Sequence, residues 1–160
     1  MAPTPRPDLL PAGRGRMRCG WARNELSAAY HDTEWGVPLR DERRLFEFVV
    51  LEGMQAGLSW DCVLGKRENF RAAFAGFDPE RVARFGAREK RRLLADAGII
   101  RNGQKIDAAI GNARAFLEVQ EEYGGFAKYM WGWVHGRPVV NCWSGLKQLP
   151  ARDAVSDAWS

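Results

Sequence analysis

The sequence predicts an all-α fold. Apolar residues recur at helical spacing, most clearly Ile106, Ile110, Ala113 and Leu117. Helix-start residues stand before apolar runs at Asp41, Ser59 and Asp78-Pro79. No segment alternates with period two for long, so no sheet is expected.

Taken in order, residues 1–16 are rich in Pro, Gly and Arg without helical or strand period, and predict a disordered tail. They lack the continuous apolar region of a signal peptide. Met17 opens a different kind of sequence and is a second candidate start, so the folded domain is expected over 17–160. Asp41 caps a helix running through Leu45, Phe46, Phe48 and Leu51, loosened at its end by Gly53 and Gly57. Ser59 caps a second, from Trp60 to Phe74, stopped by Gly76. Asp78-Pro79 starts a third. A short helix from Arg88 to Asp96 leads into the tight turn Gly98–Gly103, and the amphipathic helix through Ile106 follows. Phe126–Trp133 is a weaker helical stretch, Val139-Val140 an extended piece, and residues 153–160 begin a helix that no Gly, Asn or Pro ends.

Composition narrows the function classes. Of the 160 residues 46% are apolar, enough for a core, and no apolar run approaches a membrane span. Net charge is +4, of which the first 16 residues carry +2. A polycation and an acidic disordered protein are both excluded, so nucleic-acid binding requires a local patch. One exists: residues 81–105 hold eight Lys and Arg against Glu89 and Asp96, a net +6. Cysteines at 19, 62 and 142 form no CxxC and no even framework, which favours a reducing compartment. Cys62 and Cys142 read as buried thiols.

Two constellations carry chemistry. In the first, short helices flank a Gly-bounded turn with Lys105 at the next helix start. Helix N-termini and close-approaching glycine backbone suit phosphate binding without sequence readout. The plainer reading is an antiparallel helix pair with a solvated basic face. The second spans residues 19–60 and contains Trp21, Tyr30, Trp35 and Trp60 with Glu52. Glu52 shares a helix face with Leu45, Phe48 and Gln55, so its carboxylate is expected to be buried or to line a pocket. It then serves either as an acceptor for backbone N–H groups or as a receptor for a cationic or amino-bearing ligand. The aromatic rings fit a core, or a stack against a flat cation. Cys19 and His31 are two metal-capable side chains where a closed zinc site needs four.

The strings RCGW (18–21), YHDTEWGVP (30–38), LEGMQAGLSW (51–60), KRENFR (66–71) and DAGIIRNGQKIDAAIGNARAF (96–116) resemble the bacterial DNA-3-methyladenine glycosylase I family of the helix-hairpin-helix superfamily. The resemblance runs from Arg18 almost to Ser160. It implies a monofunctional base-excision repair glycosylase that hydrolyses the N-glycosidic bond of 3-methyladenine in alkylated double-stranded DNA, as a cytoplasmic monomer. Glu52 would bind the methylated adenine and be the catalytic carboxylate, with Tyr30 and Trp60 sandwiching the flipped base and Trp21 nearby. Gln55, Gly57 and Leu58 would contact the DNA, Leu58 filling the gap left in the duplex. Gly98, Ile100, Arg101, Gly103 and Lys105 would hold the backbone. Cys19 and His31 would be half of a structural zinc site.

The family departs from this sequence in two places. It usually has an aromatic residue shortly before the Tyr-His pair, where Leu26-Ser27-Ala28-Ala29 offers none. It also continues beyond the equivalent of Ser160 with a helical segment bearing a second His and Cys, so a C-terminally truncated chain is expected. The competing expectation is accordingly a catalytically impaired helix-hairpin-helix fragment that binds DNA without chemistry. Residues 118–152 contain no Asp, in keeping with a family that lacks the superfamily's usual catalytic aspartate.

Overall fold

The computed structural model describes residues 9–11, 17–142 and 148–159. The chain forms two compact units, one spanning Leu39–Gly132 and one drawn from the flanking segments up to Pro38 and from Trp133 onward.

The flanking unit adds one feature to the helical expectation. Leu9–Pro11 (β1), placed by sequence inside an unstructured tail, pairs antiparallel with Met17–Cys19 (β2), Leu9 opposite Cys19 and Pro11 opposite Met17. Strands of three residues are too short to show a period of two, which is why the sequence did not announce them. Helix α1 (Glu25–Thr33) follows, opened by a capping box in which Asn24 accepts from the Ser27 N–H at 2.8 Å and Ser27 Oγ faces the Asn24 N–H.

The second unit is a helical array. Helix α2 (Glu42–Gln55) starts where Asp41 accepts the Arg44 N–H at 2.9 Å. The single helix expected over 60–74 is two, α3 (Trp60–Leu64) and α4 (Arg67–Ala73). Gly65 ends α3 and allows a tight join, since a Cβ there would sit 3.2 Å from the Asp61 carbonyl. A single 3-10 turn (Ala75–Phe77) leads to α5 (Pro79–Ala83), capped by Asp78 with Pro79 in its first turn. Helices α6 (Ala87–Ala95) and α7 (Gly103–Tyr123) form the hairpin, and α8 (Phe126–Gly132) follows Gly124, whose φ of 73° closes α7. Helix α9 (Ala154–Trp159) belongs to the flanking unit.

The long α7 packs against α2, α5, α6 and α8, so its buried stripe organises the core. Ile106, Ala113 and Phe116 are buried on it, facing Phe46, Val50, Leu51 and Met54 of α2 and Phe70, Phe74 and Phe77. Phe116 stacks on Phe126 at 4.1 Å and meets Phe46 edge-on at 5.3 Å. Glu42 closes the far end: its two carboxylate oxygens accept the Phe126 and Ala127 N–H groups at 3.0 Å each and so cap α8 from α2.

Candidate active site and nucleic-acid interface

The flanking unit gathers four rings. The Trp21 ring centroid lies 6.2 Å from Tyr30, 5.3 Å from His31 and 5.4 Å from Trp35, and His31 stacks on Trp35 at 5.2 Å. Tyr30 is buried, Trp21 half-buried and Trp35 exposed. Tyr30 thus reads as packing, while the exposed part of Trp35 leaves the alternative of stacking open. Arg18 grips Asp32 through Nε at 2.9 Å and through its terminal nitrogen, and Asp32 also meets His31 Nδ1 at 2.9 Å. The Arg18 hydrogen bond above all, with the one to His31 beside it, holds the Asp32 carboxyl well below the usual carboxylate range.

Cys19 and His31, the expected zinc half-site, are neighbours: the Cys19 N–H donates to His31 Nε2 at 3.2 Å. Both ring nitrogens thus face protein groups. Among the described residues no group of three or more His, Cys, Asp or Glu is placed to hold a metal ion. This donor set does not fit a closed tetrahedral zinc site. Cys62 is half-buried and Cys142 exposed, not the buried thiols expected.

Helix α2 delivers the carboxylate. Glu52 does share its face with Leu45, Phe48 and Gln55, but all three are only half-buried and Glu52 itself is exposed. The buried stripe of α2 is Phe46, Glu47, Val50, Leu51 and Met54, one step around the helix. The buried carboxylate is Glu47, which accepts from Arg67 Nε at 2.5 Å and from Arg71 at 2.8 Å. Glu52 instead stands at the rim with partial loss of water, and that desolvation raises its proton affinity above the ordinary glutamate value.

Just beyond α2 the chain turns sharply. Ala56 has φ −44° and ψ 116°, Gly57 has φ 76°, and the Leu58 N–H donates to the Gln55 carbonyl at 2.6 Å. This is a type II turn, and the positive φ at its third position is why Gly57 stands there. Leu58 follows it 40% exposed, and Ser59 caps α3 by accepting the Cys62 N–H at 3.2 Å. Trp60 opens α3 half-buried and packed against the core. Carboxylate, exposed leucine and tryptophan are thus held within one short segment that runs from the end of α2 to the start of α3.

The hairpin turn is held from outside. Lys66 Nζ donates to the Ala97 and Gly98 carbonyls at 3.3 Å each, and Asn69 Nδ2 to Gly98 at 3.1 Å. A Cβ on Gly98 would meet Asn69 and Asp96 at 3.1 and 3.0 Å, so this glycine is required by internal packing as well. Ile99 is buried and Ile100 half-buried against the core, pinning the turn from beneath. Asn102 Oδ1 caps α7 by accepting the Lys105 N–H at 3.1 Å, and Gly103 is the first residue of that helix. These roles of Lys66, Asn69, Arg67 and Arg71 leave no local signal in the KRENFR string, because their partners lie 20 to 32 residues away.

The basic stretch also divides. Lys105, expected on phosphate, donates instead to the Met54 and Ala56 carbonyls at 2.8 and 2.6 Å. Lys90 pairs with Asp107 at 2.6 Å, and Arg92 donates to the Ala73 carbonyl at 2.7 Å. Among the described residues, exposed Arg81, Arg88, Arg91 and Arg101 have no ion-pair partner. Arg101, in the turn itself, is the expected backbone contact that remains available.

The methyladenine glycosylase family matches residues 21–160. The DNA-3-methyladenine glycosylase 1 of Escherichia coli K12 is 49% identical over 144 residues, covering 89% of this chain and 77% of that protein. A crystal structure of 3-methyladenine DNA glycosylase I superposes with a TM-score of 0.84 at 48% identity, covering 89% of this chain and 79% of that one. A tyrosine-to-phenylalanine variant of 3-methyladenine DNA glycosylase I, solved in complex with 3-methyladenine, is 32% identical with a TM-score of 0.80 and covers 83% and 72%. The family match takes in Trp21, Tyr30, Glu52, the Leu58 turn and the hairpin together, and the chain belongs to the methyladenine glycosylase family.

Proposed function

We propose that this chain is a base-excision repair glycosylase that hydrolyses the N-glycosidic bond of 3-methyladenine in alkylated double-stranded DNA, acting as a cytoplasmic monomer. The observation that carries the reading is the segment Glu52–Trp60: a partly desolvated carboxylate, an exposed leucine on a type II turn, and a tryptophan at the next helix start. The family membership and the relative solved with 3-methyladenine support the substrate.

The chemistry follows from the substrate's charge. 3-Methyladenine carries a positive charge in DNA, so its leaving-group ability is high before any proton is added. A carboxylate beside it favours the cation over neutral adenine, and aromatic faces do the same. Glu52 accepts from the base amino group and Trp60 offers a ring face, while base-stacking roles for Trp21 and Tyr30 rest on the family resemblance alone. Leu58 fills the space the flipped base leaves, with Gln55 and Gly57 shaping the turn that carries it. The C1′–N9 bond breaks with its electron pair returning to the ring, which neutralises the base. Water adds to C1′ and loses a proton to solvent. Arg101 and the backbone of Gly98, Ile100 and Gly103 hold the phosphates without reading sequence.

Release of free 3-methyladenine from methylated duplex DNA, followed by mass spectrometry, tests the reading. The expected result is release that falls by about tenfold to hundredfold in Glu52→Gln, the loss of one charge-assisted contact. Salt-dependent duplex binding with no release would place the chain as a binding module and reject the enzymatic reading.

A further inference from the structure

We propose that Lys105 is a positioning residue that latches the Leu58 turn in its type II form and ties it to the hairpin. The proposal rests on the reading above that Leu58 enters the duplex, and it assigns Lys105 a task other than phosphate contact.

Lys105 lies in the first turn of α7, where Asn102 accepts its backbone N–H. Its side chain lines a cavity of about 230 Å³ between α2 and α7, shared with Val49, Val50, Gly53, Ala108 and Asn112. From there Nζ reaches the Met54 and Ala56 carbonyls at 2.8 and 2.6 Å. The Met54 carbonyl belongs to the last turn of α2, where carbonyls lack helical partners and the helix dipole favours a cation.

The Ala56 carbonyl matters more. In a turn running from Gln55 to Leu58 it belongs to the central peptide, and types I and II differ by a rotation of that peptide through about half a turn. A cation bonded to Ala56 O selects one of the two orientations. Gly57 tolerates both signs of φ, so without the cation the backbone has no reason to stay in type II. The direction in which Leu58 leaves the turn depends on that choice. Lys66 and Asn69 fix the Gly98 turn at the other end of the hairpin connection. Hydrogen bonds therefore hold both ends of the connection, and those at the α7 end reach the turn that carries Leu58.

The test uses duplex DNA with 2-aminopurine beside a tetrahydrofuran abasic analogue, whose emission rises when a side chain unstacks it, alongside excision from methylated DNA. Lys105→Met is expected to lose most of the emission change and about tenfold in kcat, with KM nearly unchanged, and Lys105→Arg to restore much of both. Gly57→Ala, which puts a Cβ into open space but opposes positive φ, should reproduce the Lys105→Met phenotype without touching the lysine. Combined with Leu58→Ala, Lys105→Met should add almost nothing, because both act through one side chain. Additive effects, or a Gly57→Ala variant equal to the parent, would overturn the proposal. So would a Lys105→Met defect confined to affinity with a salt slope lower by about one, which marks a phosphate contact. If the parent protein releases no 3-methyladenine, the enzymatic reading fails while the emission change still decides the role of Lys105.

Discussion

Removing the Glu47 carboxylate is predicted to destabilise the protein strongly. Glu47 is 4% exposed and Arg67 9%, so the pair lies away from water, while Arg71 is half-buried and also bonds Glu68. Truncating one member of a buried ion pair costs about 3–5 kcal/mol, because the other charge keeps its desolvation penalty. Arg71 keeps Glu68 and access to solvent, which puts Glu47→Ala at the lower end, about 3 kcal/mol. For a chain of this size each kcal/mol moves Tm by about 2–4 °C, so a loss of about 6–12 °C is expected by calorimetry or circular dichroism. The double substitution Glu47→Leu with Arg67→Met should recover most of the loss, since an apolar pair of similar volume removes both desolvation penalties. A Glu47→Ala variant that melts within about 1 kcal/mol of the parent would refute the argument, because surface pairs behave that way. The consequence reaches the site: Glu47 joins α2, which carries Glu52, to α4, whose Asn69 clamps the hairpin turn together with Lys66 just ahead of the helix.

Glu52 predicts opposite signs for function and stability. Its raised proton affinity means that excision should fall as pH drops through a value above that of an ordinary glutamate, and this acid limb should be absent from whatever activity Glu52→Gln retains. For stability, a carboxyl whose folded pKa is raised carries no penalty below the unfolded pKa and acquires one as pH rises through the folded pKa. Glu52→Gln should therefore melt no lower than the parent at neutral pH, with any advantage vanishing in acid; a clear loss of Tm at neutral pH contradicts the desolvated setting. Arg101→Ala should weaken duplex binding equally for methylated and unmethylated DNA and lower the salt slope by about one, measured by fluorescence anisotropy across a salt series. A selective loss for methylated DNA would mean that Arg101 touches the base. Zinc, measured by mass spectrometry after dialysis, should lie well below one per chain, since Cys19 and His31 are two donors where a closed site uses four. Tightly held zinc at one per chain would contradict this.

The legible parts of the fold were those governed by neighbours in sequence. Asp41, Ser59 and Asp78 each cap a helix where one was expected, though the one behind Ser59 stops at Leu64, and Ile106, Ile110 and Ala113 do form the buried stripe of α7. At the end of α2, Gly57 reads in the sequence only as a loosening of the helix; the type II turn that its positive φ makes there emerged from the structure. Depth was not legible. A helical period assigns Glu52 to a face, but whether that face is covered depends on what packs there, and the covered carboxylate proved to be Glu47. Partners across long stretches of chain were not legible either. Lys105 finds its acceptors 49 and 51 positions away, and nothing local distinguishes it from a phosphate-binding lysine at a helix start.

That last confusion has a physical origin. A phosphate and the C-terminus of a helix present a cation with the same invitation, oxygen atoms carrying negative potential and short of hydrogen-bond donors. This fold joins short helices: α4 has seven residues and α5 five, so a large share of their carbonyls are terminal. Arg92 reaches the Ala73 carbonyl at the end of α4, Arg114 the Ala83 carbonyl at the end of α5, and Lys105 those at the end of α2. Each of these cations is spent on architecture before any DNA arrives. A local charge of +6 between residues 81 and 105 therefore overstates the electrostatic footprint. What is left over for the proposed phosphate contacts is the smaller set of exposed arginines, with Arg101 placed in the turn that the architectural cations and amides hold still. In a protein built from short helices, counting basic residues cannot separate grip from scaffold; the separation lies in which carbonyls need a donor.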